Sequence, residues 1–155
     1  DSNLVPLIHS EVRDGVLEVF SDEIEPKVPT VVRVTLKTLA SASGADEGTT
    51  LLATGIDRRG DGAGLALNLS EGAAAELSGG CGRLVAIVTG ASTLRASDLE
   101  CLDAELDVME RSLVEARVTG EVVLRAASES TVRLTGRPTV EETVSDDVTL
   151  EVEGR

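Results

Sequence analysis

Few residues in this chain are equipped for chemistry. His9 is the only histidine. A Ser/His/Asp relay would have to use it, and no G-x-S-x-G nucleophile elbow accompanies it. A structural role in a strand near the front is the better reading. One histidine and two cysteines also fall short of an ordinary zinc ligand set. Acids cluster at Asp98, Glu100, Asp103, Glu105 and Asp107, and again at Glu141, Glu142, Asp146 and Asp147. Paired carboxylates can hydrolyse glycosides. The chain lacks the aromatic platforms that hold a sugar, so a solvated outer face explains both clusters better.

Arg59-Gly60-Asp61 spells a tripeptide that integrins read on loops. Three letters recur by chance in a chain rich in Arg, Gly and Asp, and the plain reading is a polar turn. Asp57 and Asp61 could offer Ca²⁺ two carboxylates. The surrounding residues lack the G-G-x-G-x-D repeat of calcium-binding β-rolls. No cofactor and no metal site is expected, and no enzymatic activity.

Composition removes further classes. Aromatics are 1% of the 155 residues, with Phe20 alone and no Trp or Tyr. The formal net charge is −14, from 28 acidic and 14 basic residues. Such a surface repels phosphate backbones, so nucleic acid is not a partner. Single strands would also need aromatic stacking platforms. No apolar run reaches the length that crosses a membrane as a helix.

The elements that position these residues follow a repeat. Leu69, Val88, Val108, Ala126 and Val144 are separated by 19, 20, 18 and 18 residues. Four and two residues before each anchor, and six and eight after it, the side chains are mostly aliphatic or small. Each unit thus holds two short runs of period two. Between the runs lies a corner: Ser70–Ala73, Thr89–Ser92, Met109–Ser112, Ala127–Ser130 and Ser145–Asp147. Ser43-Gly44-Ala45-Asp46 is an earlier, less regular corner. Two strands and two corners in some twenty residues make one coil of a β-helix, whose strands pair with those of the next coil. An antiparallel sandwich has similar strand spacing but does not require corners in phase with both flanking runs. A stacked coil also needs no rings, because it buries aliphatic ladders.

Ahead of the coils, Glu11–Arg13 and Val16–Phe20 flank Asp14-Gly15, a strong hairpin signal. Residues 21–29 read as a loop, Val31–Leu39 and Leu51–Ile56 as strands, and Asp57–Gly64 as a polar turn. Residues 1–38 are expected to cap the first coil, since solenoids need atypical end units. Residues 39–155 then hold about six coils within a single domain spanning 1–155. The last strand has no evident cap, so a homo-oligomer through terminal strands is an open option. Cys81 and Cys101 lie twenty residues apart, close to one period, and fall side by side on adjacent coils. Neighbouring strands offer the Cα separation a disulfide needs. They are either bridged, as in an exported protein, or two small buried thiols.

Val88-Thr89-Gly90-Ala91-Ser92-Thr93-Leu94-Arg95-Ala96-Ser97-Asp98-Leu99 resembles the recurring element of the putative auto-transporter adhesin, head GIN domain family. Those proteins repeat an apolar-x-Ser-Gly-Ala-Ser-apolar-x-Ala segment and end coils with Gly-x-Pro, as in Gly136-Arg137-Pro138. Asn3–Pro6, Val12–Leu17 and the stretch Leu39–Ala45 match as well. The chain departs at Met109–Ser112 and Ala127–Ser130, where Gly-Ala is replaced. Those coils are expected to keep strand geometry without the tight turn. The resemblance implies a right-handed single-stranded β-helix in an exported bacterial protein, periplasmic, outer-membrane-associated or extracellular. It brings no catalytic residues. The function it implies is a non-enzymatic binding or adhesion module for an unknown protein or glycan. A self-assembling scaffold and a polysaccharide-active enzyme are the alternatives. The second would need bases to hold uronates, and only Lys27 and Lys37 are lysines.

Overall fold

The computed structural model describes residues 8–13, 16–21, 38–46, 48–60 and 64–153. The chain divides into two compact units, Asp1–Thr35 and Leu36–Arg155. In the first, β1 (Ile8–Arg13) and β2 (Val16–Ser21) form an antiparallel pair that brings Arg13 opposite Val16. This is the pairing expected of a two-residue hairpin. Its turn, Asp14-Gly15, lies outside the described residues. So do the Asn3–Pro6 match, residues 22–29 of the loop reading, and residues 31–37 of the Val31–Leu39 strand. Thr38, Leu39 and Ala40, which are described, are not in a strand.

The second unit is an all-β solenoid of about five turns. Its strands are β3 (Ser41–Gly44), β4 (Thr50–Arg58), β5 (Gly64–Leu69), β6 (Ala74–Val88), β7 (Thr93–Val108), β8 (Leu113–Val118), β9 (Glu121–Ala126), β10 (Thr131–Thr135), β11 (Thr139–Val144) and β12 (Thr149–Val152). One face stacks β3, β5, the ends of β6 and β7, β9 and β11, all parallel. The other stacks β4, the starts of β6 and β7, β8, β10 and β12. The expectation of about six coils came from counting six corners; the six strands on each face span about five turns. The first rung is also irregular, with a register shift between Ala53 and Ile56.

The predicted columns form. Leu69, Val88, Val108, Ala126 and Val144 pair in sequence across the first face. Leu94, Val114 and Val132 pair across the second. All three of the latter are 0% exposed. Period-two alternation sends one residue of each pair inward, and the 18–20-residue period lays it over its predecessor. Each fully buried Leu or Val contributes about 1.5–3 kcal/mol of hydrophobic stabilisation. Small side chains also occupy inward positions, at Ala75, Ala86, Ala96 and Ala116, all buried.

The corners correct one expectation. Glu110-Arg111 and Ser128-Glu129 have φ of 59°, 61°, 61° and 59°, the same left-handed geometry as Gly90-Ala91 at 66° and 60°. The tight turn therefore persists where Gly-Ala is lost. Two successive residues with positive φ are what a type I′ turn demands, usually of Gly, Asn or Asp. Non-glycine residues adopt it at a cost of roughly 1–2 kcal/mol each. Stacking offsets that cost. Gly72 N–H donates to the Gly90 carbonyl at 2.7 Å, Ala91 N–H to Glu110 at 2.8 Å, and Arg111 N–H to Ser128 at 2.8 Å. A corner that relaxed to another conformation would strand the amide of the corner before it.

Glycine is required where coils touch. Gly136 has φ of 93°, and a Cβ on it would lie 2.4 Å from the Val118 carbonyl oxygen.

Candidate functional site

The first acidic cluster lies along β7, and most of its members are staples between coils. Glu105 bonds Arg83 at 2.7 Å and lies 3.7 Å from Arg125, which also sits 3.7 Å from Asp107. Glu100 meets Arg117 at 3.1 Å. An oxygen of Asp103 accepts the Glu121 amide at 2.9 Å. On the second face, register creates an alternating column Glu76, Arg95, Glu115, Arg133, Glu151. Arg133 bonds Glu151 at 2.9 Å and Glu115 at 3.2 Å. Those two carboxylates, Glu151 foremost, raise the guanidinium's affinity for its proton. Exposed pairs of this kind contribute little each. Their alternation does prevent like charges from meeting across the ladder.

The second acidic cluster is not uniformly a solvated face. Asp147 accepts hydrogen bonds from the Ser145 hydroxyl and from Glu129 N–H, the latter at 3.1 Å. Its carboxyl is held below the usual Asp range, first by the Ser145 hydroxyl, against a smaller opposing desolvation, and then by the Glu129 amide. Glu129 is the second left-handed residue of its corner. In the corners before it, that position donates to a carbonyl one coil on. Here a side-chain carboxylate takes the carbonyl's place and terminates the corner ladder. Concave runs of backbone N–H groups favour anions in this way. Sequence reasoning gave Asp147 no separate role. The signal was available in Ser145-x-Asp147, at a corner lacking a Gly-Ala pair.

Inside the corners, Ser92, Ser112 and Ser130 are fully buried. Ser130 Oγ donates to the Ala127 carbonyl at 2.7 Å. Ser92 and Ser112 hydroxyls have no hydrogen-bond partner among the described residues. These serines shape the inner edge of the corner.

Cys81 and Cys101 stand opposite each other in the β6–β7 ladder and are joined by a disulfide, with Cα atoms 4.5 Å apart. Both are buried. His9 lies in β1 opposite Phe20, in the other unit from the coils. Asp57 and Arg58 belong to β4, so the polar turn starts later than expected. Arg59 is folded down on the coil: a Cβ on Gly80 would fall 2.0 Å from its Nε. Asp61 lies outside the described residues. No group of His, Cys, Asp and Glu suited to a metal occurs among the described residues.

The surface offers a shallow, open depression along the stacked corners, lined by Gly90, Ala91, Glu110, Arg111, Ser128, Glu129 and Asp147. A second such depression is lined by Ser97, Arg117, Thr135, Gly136 and Glu153. No helix among the described residues is long and apolar enough to cross a membrane.

Parallel ladders, in-phase corners and charge columns running along the stack define a β-solenoid. The chain belongs to the putative auto-transporter adhesin, head GIN domain family, whose family model matches residues 1–138. β11 and β12 therefore lie beyond the matched span. Neither a curated protein nor a solved structure matches the chain.

Proposed function

We propose that this chain is an exported, non-enzymatic module that binds a protein or glycan at the cell surface or in the periplasm. The observation that carries this reading is how its polar groups are used. Glu100, Asp103, Glu105, Asp107 and Asp147 pair with arginines or backbone amides of neighbouring coils, which leaves extended ladder walls. Such walls suit recognition over a broad area better than enclosure of a small substrate. The family description, an adhesin head, supports the same reading. A buried Cys81–Cys101 disulfide suits an oxidising compartment. Arraying the folded protein on glycans and extracellular proteins should reveal a saturable partner. Uniform background on material with intact secondary structure would overturn the proposal.

A second reading is a self-assembling scaffold, favoured by the outer edges of β11 and β12, which pair with no strand among the described residues. It requires light scattering to report growing mass with concentration; a constant monomer mass removes it.

A further inference from the structure

The second face carries two outward columns in register. One is free of charge: Thr50, Ala74, Thr93, Leu113, Thr131, Thr149. Beside it runs Leu52, Glu76, Arg95, Glu115, Arg133, Glu151, which alternates in sign after Leu52. The central outward columns of the first face instead hold Glu105, Asp107 and Glu141 against Arg125. On a chain of formal net charge −14, the second face is the better balanced wall. Its alternation is also only partly used within the chain. Arg133 holds Glu115 and Glu151 through Nη1 and Nε. A guanidinium has five N–H donors, so others remain. Glu76 and Arg95 are exposed and form no ion pair among the described residues.

We propose that the second face docks a second copy of this chain, with its coils running in the opposite order. The complementarity of the charged column to its own reversal selects that occupant. A two-fold axis along the strands sets each column against the same column of the copy and reverses the order of the coils. At full overlap of the six strands, Glu76 faces Arg133 of the second copy and Arg95 faces its Glu115, each contact occurring twice. Both unpaired charges thereby gain a partner. In the neutral column Thr93 faces Leu113, Ala74 faces Thr131 and Thr50 faces Thr149. Glu151 faces Leu52 of the copy and keeps Arg133 of its own chain. An axis along the stack would instead set every charge on itself. Isologous pairing of this kind closes at two copies. Six strands about 4.8 Å apart and about five residues long cover roughly 400 Å². That is about half of what a standard interface takes from each partner, so the dimer is weak and reversible. The inference goes beyond the surface-binding reading and does not depend on it.

Sedimentation equilibrium on the whole chain, at concentrations up to about 1 mM, should show a monomer–dimer equilibrium that stops at two copies. Arg95→Glu and Glu115→Arg should each weaken it at least about tenfold, since each sets like charges together twice. The two reversals move the net charge in opposite directions, so a general charge effect would strengthen one of them. Mixing the two variants should restore association as a one-to-one heterodimer, because every reversed charge then meets its complement. Circular dichroism checks that each variant is folded. If one of them is not, Glu76→Arg and Arg133→Glu form a second pair that tests the same register. A monomer at all concentrations, mass that grows past two copies, single variants that associate as the parent does, or a mixture that stays monomeric overturns the inference.

Discussion

Ala126 and Val144 occupy one column, a single coil apart, yet Ala126 is 4% exposed and Val144 38%. The same contrast separates Val132 from Leu150 and Leu124 from Glu142. Central coils have a neighbour on both sides, so each inward side chain is sealed by the pair above and below. The last coil has a neighbour on one side among the described residues. Its sequence answers with acids, a valine-rich but half-open interior, and a carboxylate that finishes the corner ladder. A solenoid residue is thus buried by its place in the stack as much as by its place in the strand.

The sharpest test of that contrast is truncation at matched positions. Leu94→Ala should cost about 2–5 kcal/mol, because it leaves a cavity between two fixed coils. Val144→Ala should stay within about 0.5 kcal/mol, as at a surface site. Denaturant titration measures both, and equal losses would erase the distinction between central and terminal coils. Next in size is the disulfide, which closes a loop of twenty residues on the central side. Replacing both Cys81 and Cys101 with Ser should lower stability by about 3 kcal/mol, through greater freedom of the unfolded chain and buried hydroxyls. Unchanged thermal stability would show that the bridge adds nothing to the ladder.

Smaller effects separate one buried serine from another. Ser130→Ala loses a hydrogen bond and should cost about 1 kcal/mol. Ser112→Ala removes an unpartnered hydroxyl and should be neutral or stabilising. A large loss from Ser112→Ala, seen in the same titration, would mean its hydroxyl has a partner. The smallest expected effect is local and pH-dependent. Asp147 has a depressed carboxyl in the folded state, so its contribution is complete above the unfolded Asp value, about 3.9. It is lost as pH falls through the lower folded value. Hydrogen exchange at the Glu129 amide should accelerate there beyond its intrinsic pH dependence, and Asp147→Asn should abolish that extra step. An identical profile in the variant would remove Asp147 from the role of ladder terminus.

Much of the fold was legible because a period of 18–20 residues is a geometric statement. It set Leu69 beside Val88 and Val108, placed Cys81 beside Cys101, and made a ring-poor core sensible. The acidic clusters were legible as outward residues but not as staples. Glu105 finds Arg83 and Arg125 only because coils stack in register, which sets each arginine two residues along the strand from the partners of Glu105, Val85 and Val123. Local preference misled at Glu110-Arg111 and Ser128-Glu129. Neither pair favours positive φ, and the turn forms because the amides of adjacent corners need it.

Sequence alone determined which side chains alternate inward and how far apart their repeats fall, since both are counts along the chain. Tertiary structure decided which corner conformations survive, which acid meets the Glu129 amide and how deeply each coil is buried. Those outcomes depend on hydrogen bonds and burial supplied by the neighbouring coil, and no single coil encodes its neighbour.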